Sequence, residues 1–231
     1  MPKCYIFVVP SGPVFNSEEV QAFEKLSQGD SALLQSTLYL NYKDMLSKSS
    51  DAYEIVYFLD EKDKDCLPAE FNSENMKIQF IKCSEGWSNI AGFISRKINQ
   101  DSTNILILSS HSIGITPQKI EKYFNLLNHE DRNILVGKTP AQKVSLIGLN
   151  YFESRMFEGF TNFSMTLDEF LRYVNRLDNF LFSVDGFNTI EKLDDFKKLY
   201  KILSTKESIE FCSHEIHEKF THLFIEYKEL L

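Results

Sequence analysis

The chain has 231 residues, 43% of them hydrophobic and 25% charged, which is enough to fold completely around a sizeable core and is far from a disordered or fibrous profile. Its net charge of −8 and sequence pI of about 5.2 set aside a nonspecific nucleic-acid or anionic-membrane surface, which needs the opposite balance. There is no Lys/Arg-rich run, and no apolar run approaches the roughly 20 residues that cross a bilayer.

The first element in chain order is a short apolar run, residues 4–9, read as a buried strand. It ends at Pro10-Ser11-Gly12-Pro13 without a small-residue cleavage site, so a strand is expected here rather than a signal peptide. Two prolines remove N–H donors from that turn, which makes a plain strand-to-helix connection the better reading than a phosphate loop; Ser11 and Gly12 are its binding candidates. Helices are expected over 17–27, with Val20, Phe23 and Leu26 inward, and over 31–47. A strand follows at 53–59. Residues 60–65 alternate Asp and Glu with Lys62 and Lys64, which would compete with a cation, so a solvated loop is expected there rather than a metal site. Residues 77–82 form a short half-exposed strand, and a helix over 89–99 comes after Trp87. Trp87 reads as a lid on the core, with a pocket wall as the alternative.

The central unit is residues 104–127. Ile105 to Leu108 form a continuous apolar run, suited to a strand buried on both faces, and a loop of small residues follows at 109–115. Thr116 is a natural N-cap with Pro117 at the first helical position, and Ile120, Tyr123, Phe124 and Leu127 repeat at helical spacing. Ligands of open α/β sheets collect outside the carboxyl ends of strands, so a site is expected at residues 109–114, although the stretch carries no evident catalytic group. Strands over 134–137 and 144–148, a short aromatic helix over 150–157 and a loop over 158–164 come next. Thr166 and Glu169 form a capping box opening a helix, 180–184 is a last buried strand, and a helix carries Ile190 to Tyr200. A second capping box, Ser204 to Glu207, opens a final helical segment with an apolar stripe of Ile216, Phe220, Leu223, Phe224, Tyr227 and Leu231. That stripe suits packing on the parent domain or, alternatively, a homodimer contact. Strands alternating with helices indicate a three-layer α/β domain with a mostly parallel sheet over 1–203, and residues 204–231 add a helical extension.

Cys4, Cys66, Cys83 and Cys212 are widely separated and form no CxxC pair, as expected for a cytoplasmic protein with reduced thiols. Cys212, His214 and His217 form a weak zinc pattern, since His214 and His217 share a helical face but the flanking glutamates mark a solvated surface.

The apolar strand, the small-residue loop, the Thr-Pro helix start and the later strand ending Leu146-Ile147-Gly148-Leu149 resemble a small bacterial branch of the nucleotide-diphospho-sugar transferase superfamily. The resemblance runs in weaker form over about residues 2–200, with 85–89 at a helix start and 182–196 at a late segment of the family pattern. It implies a glycosyltransferase-A-like, Rossmann-like fold and a nucleotide or nucleotide-sugar ligand. The polar segments depart from it. Where the family carries Gly-Ser-Asp-Ser-Pro this chain has Ser109-Ser110-His111-Ser112-Ile113, which puts His111 at the place of the metal-binding aspartate. Ala141-Gln142-Lys143-Val144 replaces an Asp-Gly-Gly-Tyr segment, and no cation lies between Ser11 and Asn16, where the family has Lys-Thr-Arg. A carboxylate at the first of these positions would hold Mg²⁺ or Mn²⁺ against a diphosphate, a task for which neutral imidazole is a poor substitute. The expectation is therefore a transferase-like scaffold without metal-dependent transfer, no resident metal and a binding or structural role. The alternative is an active, divergent glycosyl- or nucleotidyltransferase, with His111 as general base oriented by Asp185 and with Ser11, Gly12, Ser109 and Ser110 around the ligand; Mg²⁺ or Mn²⁺ enters only there.

Overall fold

A strand buried on both faces belongs in the middle of a sheet with helices on either side. That is the architecture of the computed structural model, which describes residues 3–48, 52–71, 76–98, 103–157 and 165–231. In chain order, β1 (Lys3–Val9) is followed by α1 (Gln28–Ser47), β2 (Glu54–Asp60), β3 (Lys77–Ile81), α2 (Ser88–Ile98), β4 (Thr103–Ser109), the short β5 (Ser112–Ile113) and α3 (Pro117–Leu127). The second half contributes β6 (Asn133–Lys138), β7 (Val144–Leu149), α4 (Leu167–Val174), β8 (Phe180–Asp185), the short β9 (Asn188–Thr189), α5 (Leu193–Leu203) and α6 (His214–Glu226). Among the described residues the strands form a seven-stranded sheet in the order β3-β2-β1-β4-β7-β6-β8, with β5 and β9 pairing separately. Neighbours are parallel except where β7 lies antiparallel to β4 and β6, so the sheet is mostly parallel, as expected.

The alternation of side chains along the central strands builds two cores. Phe7, Ile105 and Ile107 face α2 and α4 through Ile90, Ile94, Phe170 and Val174. Ile6, Val8, Leu106 and Leu108 face α1 and α3 through Tyr39, Tyr42, Ile120 and Leu127. Each such side chain contributes about 1.5–3 kcal/mol by leaving water, and all seven residues of β4 are buried. Thr116 caps α3 by accepting the Lys119 N–H, with Pro117 in the first turn, and the Thr166–Glu169 capping box of α4 is made in full. A third cluster joins Leu34 and Leu38 of α1 to Phe196 and Leu199 of α5 and to Ile216, Phe220, Leu223 and Phe224 of α6. The α6 stripe is thus spent inside the chain. The Tyr227 hydroxyl fastens its end by accepting the Ser27 N–H at 2.8 Å and donating to Asp30 at 2.6 Å.

Several local expectations are corrected. Residues 17–27 are not a helix: the Asn16 carbonyl takes the N–H groups of Glu19 and Val20 in one turn, and Lys25 has φ 67°. The Gln28 side chain donates to the carbonyls of Ser17 and Val20, and α1 begins at once, with Ser27 as its N-cap. Val20, Phe23 and Leu26 are nevertheless buried, so three-residue spacing arises here from turns rather than from a helix. The aromatic helix over 150–157 reduces to one 3-10 turn, Ser154–Phe157, and the loop over 158–164 lies outside the described residues. β8 is an edge strand of half-exposed residues, with Phe180 55% exposed, because among the described residues β6 alone flanks it. The Ser204–Glu207 capping box is not made; Thr205 precedes a 3-10 turn without a side-chain cap, and α6 starts only at His214. Trp87 is buried and stacks on Phe157 at 5.2 Å, a lid on the core.

Candidate functional site

Because β1, β2 and β4 run parallel and adjacent, their carboxyl ends release three loops on one edge of the sheet, as the pairing of Val9 with Ser109 shows. Between these loops lies a cleft of about 510 Å³ walled by Ser11, Gly12, Pro13, Asp60, Lys82 and His111. A second compartment of about 420 Å³ shares Ser11, Gln21, Gln35 and His111 with the first and extends beneath Phe23 and Ile190. His111 therefore stands on the wall common to both.

The loop that carries His111 is held from several sides. β5 pairs antiparallel with β9, and the His111 carbonyl accepts the Ile190 N–H at 2.7 Å. The Ser112 hydroxyl donates to the Ser109 carbonyl at 2.7 Å and is joined to the buried Tyr42 hydroxyl. The imidazole accepts the Ser11 N–H on Nε2 at 3.3 Å, which leaves the proton on Nδ1. Burial lowers its pKa to about 4, so the ring is neutral across the physiological range. Of the residues singled out in the sequence, Ser11, Gly12 and His111 meet in the cleft. Ser109 and Ser110 are buried behind it, with the Ser110 N–H given to the Val9 carbonyl. Asp185 is exposed at the end of β8; its carbonyl accepts the Tyr123 hydroxyl at 2.7 Å and its charge acts on Lys119.

Of residues 60–65, Glu61, Lys62, Lys64 and Asp65 are exposed as a solvated loop would have them, but Asp60 and Asp63 are buried, a departure from that expectation. Asp63 is fully buried. Its Oδ1 accepts the consecutive N–H groups of Val14, Phe15 and Asn16 at 3.0, 2.8 and 2.9 Å, and Oδ2 shares the Val14 N–H at 2.9 Å. Successive N–H groups converging on one point form a nest, a concavity built for an anion. Burial nevertheless holds the Asp63 carboxyl above its ordinary pKa, with the N–H donors acting against that rise. Asp60 is occupied as well, accepting the N–H groups of Lys62 at 3.0 Å and Cys83 at 2.9 Å. Burial first, then Asp60, raises the Cys83 pKa far above the usual thiol range and keeps it protonated. In the sequence the alternation with lysine hides both acids; the only local hint is that they stand three apart directly after an apolar strand.

These groups do not fit a hard divalent cation, which needs several oxygen ligands with free lone pairs. Both oxygens of Asp60 and of Asp63 are spent on backbone N–H groups, and the His111 acceptor nitrogen is spent on Ser11. Among the described residues no group of three or more His, Cys, Asp or Glu side chains is placed to hold a metal ion. At the C-terminal end, His217 Nε2 meets the Leu203 carbonyl at 2.9 Å, His214 faces Glu218 at 3.6 Å and Cys212 is buried.

The mostly parallel sheet with helices on both faces defines the class, an α/β fold similar to that of a solved nucleotide-diphospho-sugar-transferase-like structure. A candidate nucleotide-diphospho-sugar transferase from Desulfovibrio desulfuricans superposes with a TM-score of 0.72 at 16% identity, covering 98% of this chain and 99% of that one. 4-Diphosphocytidyl-2C-methyl-D-erythritol synthase from Anaerococcus prevotii gives 0.54 at 11% identity, over 88% of this chain and 99% of that one. A manganese complex of a Mycobacterium tuberculosis protein gives 0.52 at 10% identity, over 87% and 100%. At such identities the likeness is one of fold. No protein-family model matches the chain, and no curated protein matches it by sequence.

Proposed function

We propose that this chain is a nucleotide-sugar-transferase-like protein that receives a nucleotide or nucleotide sugar in the cleft beside His111 and does not carry out metal-dependent transfer. The observation that carries the reading is the neutral imidazole of His111, whose Nε2 accepts the Ser11 N–H, at the position where the family resemblance places a cation-holding carboxylate. The engagement of Asp60 and Asp63 with backbone N–H groups supports it, since each oxygen of these two acids already accepts an N–H. Location in the cytoplasm belongs to the same proposal and is supported by cysteines that remain free thiols. Among the described residues no helix is long and apolar enough to cross a membrane. The reading needs no second copy of the chain, because the α6 stripe is covered from within.

Calorimetric titration with nucleoside triphosphates and nucleotide sugars, with and without Mg²⁺ or Mn²⁺, tests the proposal. Binding unchanged by metal and no release of pyrophosphate or nucleoside diphosphate is the expected result. Binding that appears only with magnesium, accompanied by turnover, overturns it. Metal-independent turnover abolished by His111→Ala would establish the divergent transferase instead.

A further inference from the structure

A transferase-like cleft can grip its ligand by the phosphates or by the hydroxyl-bearing rings. Phosphates at the carboxyl edge of a sheet are held by free backbone N–H groups or by unpaired cations. Here the N–H nest of Val14, Phe15 and Asn16 is filled by Asp63 from within the chain. The two lysines of the wall are already engaged, Lys62 with Glu19 at 2.6 Å and Lys82 with Glu85 at 3.4 Å. No arginine lines either compartment among the described residues, and once Glu19 is set against Lys62 and Glu191 against Lys143, Asp60 and Glu61 of the first compartment and Glu24 of the second still carry charge. A diphosphate entering this space meets an excess of negative charge, and the neutral His111 adds nothing to offset it.

The same walls are well supplied with partners for hydroxyl groups. Ser11, Gln21 and Gln35 stand where the two compartments meet, with carboxylates on both sides. The Gln35 amide nitrogen donates to the Gln21 carbonyl at 3.2 Å, which fixes that side chain and leaves its oxygen as an acceptor. Amides and hydroxyls both donate and accept, and carboxylates accept, so together they satisfy the paired donor and acceptor character of a sugar hydroxyl.

We infer that this cleft recognises the uncharged, polyhydroxylated part of its ligand, a ribose or hexose ring, and leaves any phosphate outside in water. The inference rests on the reading that the cleft binds a nucleotide-derived ligand, and it names the portion that supplies affinity.

The test is calorimetric titration of the full chain with the four common ribonucleosides, their 5′-mono- and diphosphates, UDP-glucose, free glucose, galactose and mannose, and sodium pyrophosphate. Titrations are run at about 20 mM and about 300 mM salt, where the Debye length differs severalfold. At low salt the best-bound nucleoside or monosaccharide binds at least as tightly as its phosphorylated form. The diphosphate is weaker by about threefold or more, a gap that narrows at high salt as repulsion is screened. Pyrophosphate does not displace the bound ligand. In Asp63→Asn, verified as folded by its unfolding transition, the diphosphate gains on the nucleoside because a buried charge adjoining the wall residue Lys62 is gone; an unchanged ratio counts against the inference. Affinity that rises about tenfold or more with each phosphate, as charge-assisted phosphate contacts would give, overturns it. So does displacement by pyrophosphate. If nucleotides bind while nucleosides and sugars do not, the inference falls and the proposed function stands. If no probe binds, both fall.

Discussion

Replacing Asp63 by alanine tests how the cleft is built. The side chain is fully buried and receives three consecutive N–H groups from a loop 47 to 49 residues away in sequence, so the substitution strands all three donors at once. The Val14 N–H is buried, and leaving such a donor without a partner costs about 1–3 kcal/mol. The N–H groups of Phe15 and Asn16 are partly buried and recover some of their loss by turning to water. Against this stands the relief of removing a carboxylate whose burial is costly enough to raise its pKa. The net expectation is a loss of about 2–4 kcal/mol, which for a chain of this size lowers Tm by roughly 5–15 °C. Urea unfolding of the wild type, Asp63→Ala and Asp63→Asn measures it, with hydrogen exchange reporting on the Val14, Phe15 and Asn16 amides. Asparagine keeps an acceptor oxygen and should recover at least half of the loss. An alanine variant within about 0.5 kcal/mol of wild type, the range of ordinary surface changes, with amide exchange unaltered, would refute the nest as a structural element.

Phe220→Ala, at a fully buried α6 position 6.4 Å from the Phe224 ring, should cost about 3–5 kcal/mol in a single cooperative transition. A cost below about 1 kcal/mol would mean that α6 unfolds apart from the rest. Stability should also carry a slope from His111. Its folded pKa of about 4 lies below the ordinary 6.5, so between those values the unfolded chain binds a proton that the folded chain does not. The contribution is therefore complete above pH 6.5 and is lost as pH falls through the window towards 4, by at most about 3 kcal/mol and less where solvent reaches the ring. Denaturant midpoints across that range should fall less steeply with acid in His111→Gln than in wild type. Parallel profiles would show that the imidazole titrates normally.

What the chain determined locally can be read from particular residues. Ile105 to Leu108 carry no polar interruption and form the fully buried β4; Thr116-Pro117 and Thr166–Glu169 start helices because their caps are made within three residues of the chain. The order of these pieces implied a mostly parallel sheet, and the carboxyl edge of that sheet located the cleft. Tertiary structure alone decided the rest. β8 became an edge strand because among the described residues only β6 pairs with it, and Val20, Phe23 and Leu26 are buried from turns that run directly into the N-cap of α1 at Ser27. The Ser11 to His111 bond spans 100 residues, and the bonds from the Val14–Asn16 nest to Asp63 span 47 to 49. Spacing patterns report on neighbours within a turn or two of the chain. Whether an aspartate in an Asp-Lys alternation faces water or fills an anion nest is settled only when a distant loop folds over it.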